Sequence, residues 1–213
     1  VRRAKALDDI VIATTINDTD DAIIAEAGRL GVKYHRGSED NVMQRVLKAA
    51  QFHHADIIVE LTGDCPLMDP VLIDYAVAEY FESGADYVCN LKIEEFERGL
   101  SHPLGYAVQV FSTKALADAY GRTNDPLDLE HVSRYFYKNP DRYRLKYLAT
   151  PELQRGPDMS VTLDTEQDFQ VITAVLEALA PDNSAFTIED VVTYLTENPD
   201  IRQINQHIGR VKV

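Results

Sequence analysis

Two aspartates stand where chemistry would be expected in an α/β protein. Asp64 follows an apolar run at 57–61, Asp164 follows a second one at 159–163, and a helical pattern begins after each. Because ligands collect beyond the carboxyl ends of parallel strands, both carboxylates are candidates for one site. Carboxylate oxygens that share a cation with waters and phosphate oxygens are typical of Mg²⁺. The alternative is that both residues only cap helices or form turns, as aspartates often do.

A second polar set lies in the loop and first helical turn at 36–45. Arg36, Ser38, Asp40 and Arg45 provide guanidinium, hydroxyl and carboxylate groups. Guanidinium groups can hold phosphates through paired hydrogen bonds, and the whole set could read a base edge. The alternative is a solvated helix cap with a surface arginine.

Cys65 and His131 invite catalytic hypotheses that their surroundings do not favour. A nucleophilic cysteine needs a lowered pKa, usually from a nearby cation or helix N-terminus, whereas Cys65 lies between Asp64 and Pro66. A small packing residue is the better interpretation. The pair Glu130–His131 could reach a substrate, although a lone helical histidine is more often structural.

Composition excludes several classes of protein. The chain has 213 residues, 45% of them hydrophobic, and a formal net charge of −14 without a basic stripe. Nonspecific nucleic-acid binding is therefore excluded, and no apolar run is long enough to cross a membrane. Two cysteines form no disulfide framework, which favours a reducing compartment and hence the cytoplasm. The chain begins with Val1 and its first residues read like the tail of a helix. We therefore predict that residues 1–213 form a single domain that is incomplete at its N-terminus.

The order of elements predicts the fold. Strands and helices alternate through the first half with short connections, which is typical of a doubly wound, mostly parallel sheet with helices on both faces. The predicted strands are at 9–14, 32–35, 56–61, 86–90, 105–111, 142–148 and 159–165. The predicted helices are at 21–30, 41–53, 70–80, 114–120 and 128–137, with two more starting near 166 and 187. A charged excursion at 91–105 is predicted to be an arm.

Five segments, in the same order, give the chain a resemblance to one family. They are 10–15, 36–45, Leu61-Thr62-Gly63-Asp64-Cys65-Pro66-Leu67-Met68-Asp69-Pro70, 130–140 and Val161-Thr162-Leu163-Asp164-Thr165 continuing to Asp168. Together they resemble the cytidylyltransferases of the spore coat polysaccharide biosynthesis protein F type, relatives of the acylneuraminate and 3-deoxy-manno-octulosonate enzymes. The resemblance implies a Rossmann-like sheet of the nucleotide-diphospho-sugar transferase type.

The resemblance also implies a reaction. CTP would transfer CMP to a sugar acid, for surface or coat polysaccharide biosynthesis, with release of pyrophosphate. Asp64 and Asp164 would be catalytic and hold Mg²⁺, and a homodimer is implied. The implied nucleotide-binding residues are Thr14, Arg36, Ser38, Asp40, Arg45, Thr62 and Gly63. Asn90, Glu130 and His131 would bind the acceptor, and the arm at 91–105 would face the acceptor or the partner subunit.

The sequence departs from the family pattern in two places. Nothing in it matches the opening strand and the glycine-, arginine- and lysine-bearing loop that hold the triphosphate in the family. Ala107 and Gln109 stand where members commonly carry acidic residues. Three alternatives therefore stay open: CTP-dependent activation of a different small alcohol or phosphonate, a GT-A-like glycosyltransferase, and a non-catalytic nucleotide-binding module.

Overall fold

Strands and helices alternate along the chain, as the apolar pattern predicts. The computed structural model describes residues 1–181, 183 and 185–209, so the predicted domain extends at its end beyond the described part. The strands are β1 (Val11–Thr15), β2 (Lys33–Gly37), β3 (Ile57–Glu60), β4 (Tyr87–Cys89), β5 (Gln109–Ser112) and β6 (Leu145–Tyr147). The helices are α1 (Asp21–Leu30), α2 (Val42–Phe52), α3 (Pro70–Ser83), α4 (Ile93–Glu97), α5 (Thr113–Tyr120), α6 (Pro126–Glu130), α7 (Arg134–Lys138), α8 (Glu166–Leu179), α9 (Ile188–Glu197) and α10 (Pro199–Gln206).

The described strands form two sheets. β1 and β2 are a parallel pair, and the larger sheet has the order β3-β5-β4-β6. β5 is antiparallel to both neighbours, so β3, β4 and β6 run in one direction. The carboxyl ends of these three strands therefore meet at one edge.

Helices cover both faces of the larger sheet, as predicted for a doubly wound fold. On one face Val88 and Val110 pack with apolar residues of α3, α8 and α9. On the other face Tyr87 and Phe111 pack with α2, α5 and α7, where Phe111 and Phe136 rings lie 5.2 Å apart. None of the described helices combines the length and the apolar character that a membrane crossing requires.

Several predicted elements differ from the observed ones. The segment expected to be a strand at 159–165 pairs only through an isolated bridge between Leu104 and Ser160. The helix expected at 128–137 is interrupted, because His131 takes a non-helical backbone (φ −102°, ψ 88°) between α6 and α7. The helices α4, within the predicted arm, and α10 were not predicted.

Gly105 fixes the approach of the arm to the Leu104–Ser160 bridge. Its φ is +107°, and a Cβ atom there would lie 2.9 Å from the backbone carbon and oxygen of Val161. Leu104 donates its N–H to the Met159 oxygen and accepts one from the Val161 nitrogen, at 3.0 and 2.8 Å. Only glycine combines that φ with so close a backbone contact.

We expect Gly105→Ala to lower the free energy of unfolding by roughly 2–4 kcal/mol, because it adds backbone strain and a clash with Val161. The matched control is Gly28→Ala in α1, where a Cβ meets nothing within 4 Å. That control should raise stability by about 0.5–1 kcal/mol, since alanine is the better helix former. Urea unfolding measures both, and a Gly105→Ala loss below about 0.5 kcal/mol would contradict the constraint.

Candidate active site

The structure brings Asp64 and Asp164 onto neighbouring loops. Asp64 follows β3, and the Leu163 N–H donates a hydrogen bond of 2.8 Å to the Asp64 backbone oxygen. Asp64 is half-buried and Asp164 is exposed. The negative charges of both carboxylates contribute to the raised pKa of the Cys65 thiol, so both carboxylates lie near that thiol. The loops that carry these two aspartates are therefore adjacent, and their binding of one cation stays a prediction.

The donor set fits a hard cation that keeps open coordination positions. Two carboxylates from adjacent loops are oxygen ligands of the kind Mg²⁺ prefers. Among the described residues, no group of three or more histidine, cysteine or acidic side chains is arranged to hold a metal. A cation at Asp64 and Asp164 would complete its coordination with waters and ligand oxygens.

Cys65 is a protonated thiol whose sulfur lies 3.4 Å from Asp64 Oδ1. Burial raises its pKa to about 12, and the charges of Asp64 and Asp164 act in the same direction. The neighbouring Thr62 hydroxyl lies 3.1 Å from the sulfur. A thiol with so high a pKa is a poor nucleophile, which supports the interpretation of Cys65 as a packing residue. Thr62 and Gly63 are exposed in the loop before Asp64.

Thr14 and Arg36 build the loop after β1. Asp20 accepts hydrogen bonds from the hydroxyls of Thr14 (2.5 Å) and Thr15 (2.7 Å), and these bonds lower its pKa to about 2. Arg36 donates to the backbone oxygens of Thr15 and Asn17, at 2.8 and 2.7 Å. These contacts order the loop, and a role of Thr14 or Arg36 in binding nucleotide stays a prediction.

Arg45 has one hydrogen-bond donor without a partner among the described residues. Its stem packs against Gly37, where a Cβ would lie 2.9 Å from the arginine Cγ, and Nη1 donates to the Ser38 backbone oxygen at 2.6 Å. Its Nε is buried without a hydrogen-bond partner among the described residues. An oxygen acceptor from a ligand would satisfy this donor. The Ser38 hydroxyl accepts from the Asn41 N–H, and Asp40 is exposed.

Asn90 is buried and its side chain is used within the protein. Its amide donates to the Tyr106 backbone oxygen, its oxygen accepts from the Val108 N–H, both at 2.8 Å, and its nitrogen lies 3.3 Å from His102 Nδ1. Asn90 therefore fixes the end of β4 to the segment that enters β5. Contact of Asn90 with an acceptor stays a prediction.

Glu130 and His131 lie on the turn between α6 and α7. Asp128 holds this turn: its carboxylate is buried, accepts from the Thr123 hydroxyl at 2.6 Å and pairs with Arg134. Glu130 is exposed and His131 is half-buried. Both side chains therefore lie on a turn that the contacts of Asp128 stabilise. Their contact with an acceptor stays a prediction.

Sequence reasoning missed Glu60, the last residue of β3. It lies opposite Gln109 in the antiparallel pair, and its Oε2 is buried without a hydrogen-bond partner among the described residues. Burial raises the pKa of Glu60 to about 7. The sequence did contain a feature that marks this residue: Glu60 is a single acidic residue at the end of the apolar run Ile57–Val59.

Glu60→Gln should stabilise the protein above neutral pH by roughly 1–3 kcal/mol, because it removes the charge of a carboxylate whose Oε2 is buried without a partner among the described residues. The folded pKa of about 7 exceeds the model-peptide value of 4.5, so the folded state holds its proton more tightly. Stability linked to this group is therefore full below pH 4.5 and declines as pH rises through about 7. Urea unfolding at several pH values tests this, with exposed Glu82→Gln as the control. Identical pH dependence in Glu60→Gln and the unsubstituted protein would refute it.

Comparison with known proteins shows the family to which the chain belongs. Residues 1–199 match the cytidylyltransferase family. The spore coat polysaccharide biosynthesis protein SpsF of Bacillus subtilis is 33% identical over 199 residues, covering 92% of this chain and 78% of that protein. A cytidylyltransferase from Leptospira borgpetersenii superposes with a TM-score of 0.85 at 24% identity, over 100% of this chain and 84% of that one.

A more distant structure shares the fold. The CMP:2-keto-3-deoxy-manno-octonic acid synthetase, solved in complex with CTP, has a TM-score of 0.54 at 14% identity, over 83% of each chain. The family match spans the loops that carry Asp64 and Asp164, together with the loop of Arg45. The chain belongs to the cytidylyltransferase family.

Proposed function

We propose that this chain transfers CMP from CTP to a hydroxyl group of a small sugar acid, with Mg²⁺ bound at Asp64 and Asp164. The observation that carries the proposal is the pairing of the two aspartate loops through Leu163 and the Asp64 backbone oxygen. Names of similar proteins support the acceptor class, since they include spore coat polysaccharide and 3-deoxy-manno-octulosonate enzymes. Such an enzyme would supply activated sugars for surface polysaccharide.

The reaction forms one bond and breaks another at the α-phosphorus of CTP. The acceptor hydroxyl oxygen bonds to the α-phosphorus, pyrophosphate leaves, and the hydroxyl proton is released. Bound Mg²⁺ would supply positive charge to the phosphate oxygens. Because the protein carries a net charge of −14, local positive charge is needed to hold a triphosphate.

The chain's own residues would hold and orient the reactants. In the proposed site, the buried Nε of Arg45 would donate to a nucleotide oxygen, and the exposed Thr62–Gly63 segment would lie along the nucleotide. The Glu130–His131 turn would face the acceptor. In-line positioning of two bound reactants lowers the barrier chiefly by removing their freedom of motion.

The proposal also includes the cellular compartment and the oligomeric state of the protein. Two free cysteines, Cys65 and Cys89, are compatible with a reducing cytoplasm. A homodimer in which the arm at 91–105 faces the partner rests on the family resemblance. Sedimentation equilibrium tests the assembly directly, and a monomer at assay concentrations would reject it.

Asp64→Asn and Asp164→Asn should each lower kcat/KM by at least about 100-fold, because each removes a charged oxygen ligand of the cation. The assay is Mg²⁺-dependent release of pyrophosphate from CTP with a panel of sugar acids, alcohols and phosphonates. The control is Asp86→Asn, since Asp86 precedes β4 and so lies at the opposite edge of the sheet. It pairs there with Arg144 at 3.2 Å.

The outcomes separate the alternatives. If turnover occurs only with a non-sugar alcohol or a phosphonate, the proposed sugar-acid acceptor is wrong and that compound class takes its place. Parallel losses of thermal stability and activity in both aspartate variants would reject their metal role. Failure of a folded protein to bind CTP with Mg²⁺ would reject the reaction.

A further inference from the structure

The turn that carries Asp164 is held by a second, buried aspartate. Asp168 Oδ2 accepts the N–H groups of Asp164 (3.2 Å) and Thr165 (2.9 Å), as well as the Thr165 hydroxyl (2.9 Å). Thr165 and Asp168 also form the capping box that begins α8. Because Asp168 is fully buried, its carboxylate is a fixed reference for the backbone of Asp164.

Asn205 of α10 ties this carboxylate to the last helix. Its side-chain nitrogen donates to Asp168 Oδ1 at 2.7 Å and to the backbone oxygen of Ser160 at 3.0 Å. Asn205 itself is 3% exposed. A single amide nitrogen therefore spans both sides of the Asp164 turn.

A second chain of contacts leads from the same place to the Asp164 carboxylate. The hydroxyls of Ser160 and Thr162 lie 3.2 Å apart, and the Thr162 hydroxyl donates to Asp164 Oδ2 at 2.9 Å. Asn205 thus connects to the Asp164 backbone through Asp168 and to its carboxylate through Ser160 and Thr162. Two independent connections leave the turn little room to rotate.

The chemistry selects an amide at position 205. Its two acceptors are a carboxylate and a carbonyl, and an amide nitrogen has two hydrogens to share between them. A carboxylate there would repel Asp168, and an apolar side chain would remove the hydrogen bonds that Asn205 donates to Asp168 and to the Ser160 backbone oxygen. Asn205 also lies beyond residues 1–199, the part that matches the family.

We propose that Asn205 is a positioning residue that holds the Asp164 carboxylate in the geometry for binding a divalent cation. This inference rests on the proposed function for its cation. It gives α10 a role in the active site: the helix braces the second metal-binding turn through one buried amide. Outer contacts of this kind typically change metal affinity 10- to 100-fold when removed.

The experiment measures Mn²⁺ binding in the presence of CTP by electron paramagnetic resonance, with Mn²⁺ as the probe for the Mg²⁺ site. We expect Asn205→Ala to weaken Mn²⁺ binding by roughly 10–100-fold. Amide hydrogen exchange, measured without metal, should be faster at Asp164 and Thr165 and unchanged at Val171 within α8. The second readout reports the turn itself, whatever reaction the enzyme performs.

The chain offers two matched controls. Asn198→Ala removes another asparagine of the C-terminal region, whose amide donates to the Tyr194 backbone oxygen at 2.8 Å. Asp190→Asn alters the second capping box, Thr187–Asp190, which has the same pattern of bonds as the Asp168 box. Both controls should lower stability without changing Mn²⁺ affinity, whereas Asp168→Asn should weaken it.

The results separate this inference from the proposed reaction. Unchanged exchange at Asp164 together with Mn²⁺ affinity within twofold would overturn the role of Asn205, even if pyrophosphate release is normal. Weakened Mn²⁺ binding in a protein that releases no pyrophosphate would support the positioning role and reject the reaction. If Asn205→Ala does not fold, Asn205→Ser takes its place, and the same results decide.

Discussion

The hydrogen bond from the Leu163 N–H to the Asp64 oxygen is the contact on which the site depends. It holds side by side two loops that carry like charges, although Coulomb repulsion acts to separate them. That contact requires the 159–161 segment to lie beside the end of β3, and the Leu104 bridge and the close approach at Gly105 fix this segment. A backbone constraint of this kind can oppose repulsion because it does not depend on the carboxylates themselves.

Electrostatics explains why such a constraint is useful. Burial is the main cause of the raised pKa of Cys65, and the charges of Asp64 and Asp164 add to it, so the region is unfavourable for further negative charge. A divalent cation reverses the sign of that region and makes it attractive to phosphate. In the proposed function, the acidic chain would bind an anionic nucleotide through the metal and Arg45. The repulsion between the two carboxylates in the folded protein would then strengthen binding of the cation.

Much of the fold can be predicted from the sequence, because the apolar residues of many elements recur with the period of a strand or a helix. The apolar runs of β1, β3 and β4 and the helical spacing of α3 and α8 are local patterns, and so are the turns after them. The antiparallel direction of β5 cannot be predicted from a local pattern, because it depends on which strands become neighbours in the sheet. The break at His131 depends on the buried pairing of Asp128 with Arg134, which joins residues on two short helices. The burial of Glu60 likewise depends on the elements that cover β3.

The site divides in the same way. Asp64 and Asp164 are predictable because each ends an apolar run, whereas Thr14, Arg36 and Asn90 have neighbours that no local pattern records. The two capping boxes make the distinction sharp. Thr165–Asp168 and Thr187–Asp190 have the same spacing, the same bonds and the same helix-starting role. Only the first accepts a hydrogen bond from Asn205 and holds the backbone of Asp164, the aspartate that we propose binds the cation. Identical local motifs therefore differ in their tertiary contacts. Here a largely polar helix, whose Ile201 and Ile204 pack against the core, provides the contact that distinguishes them.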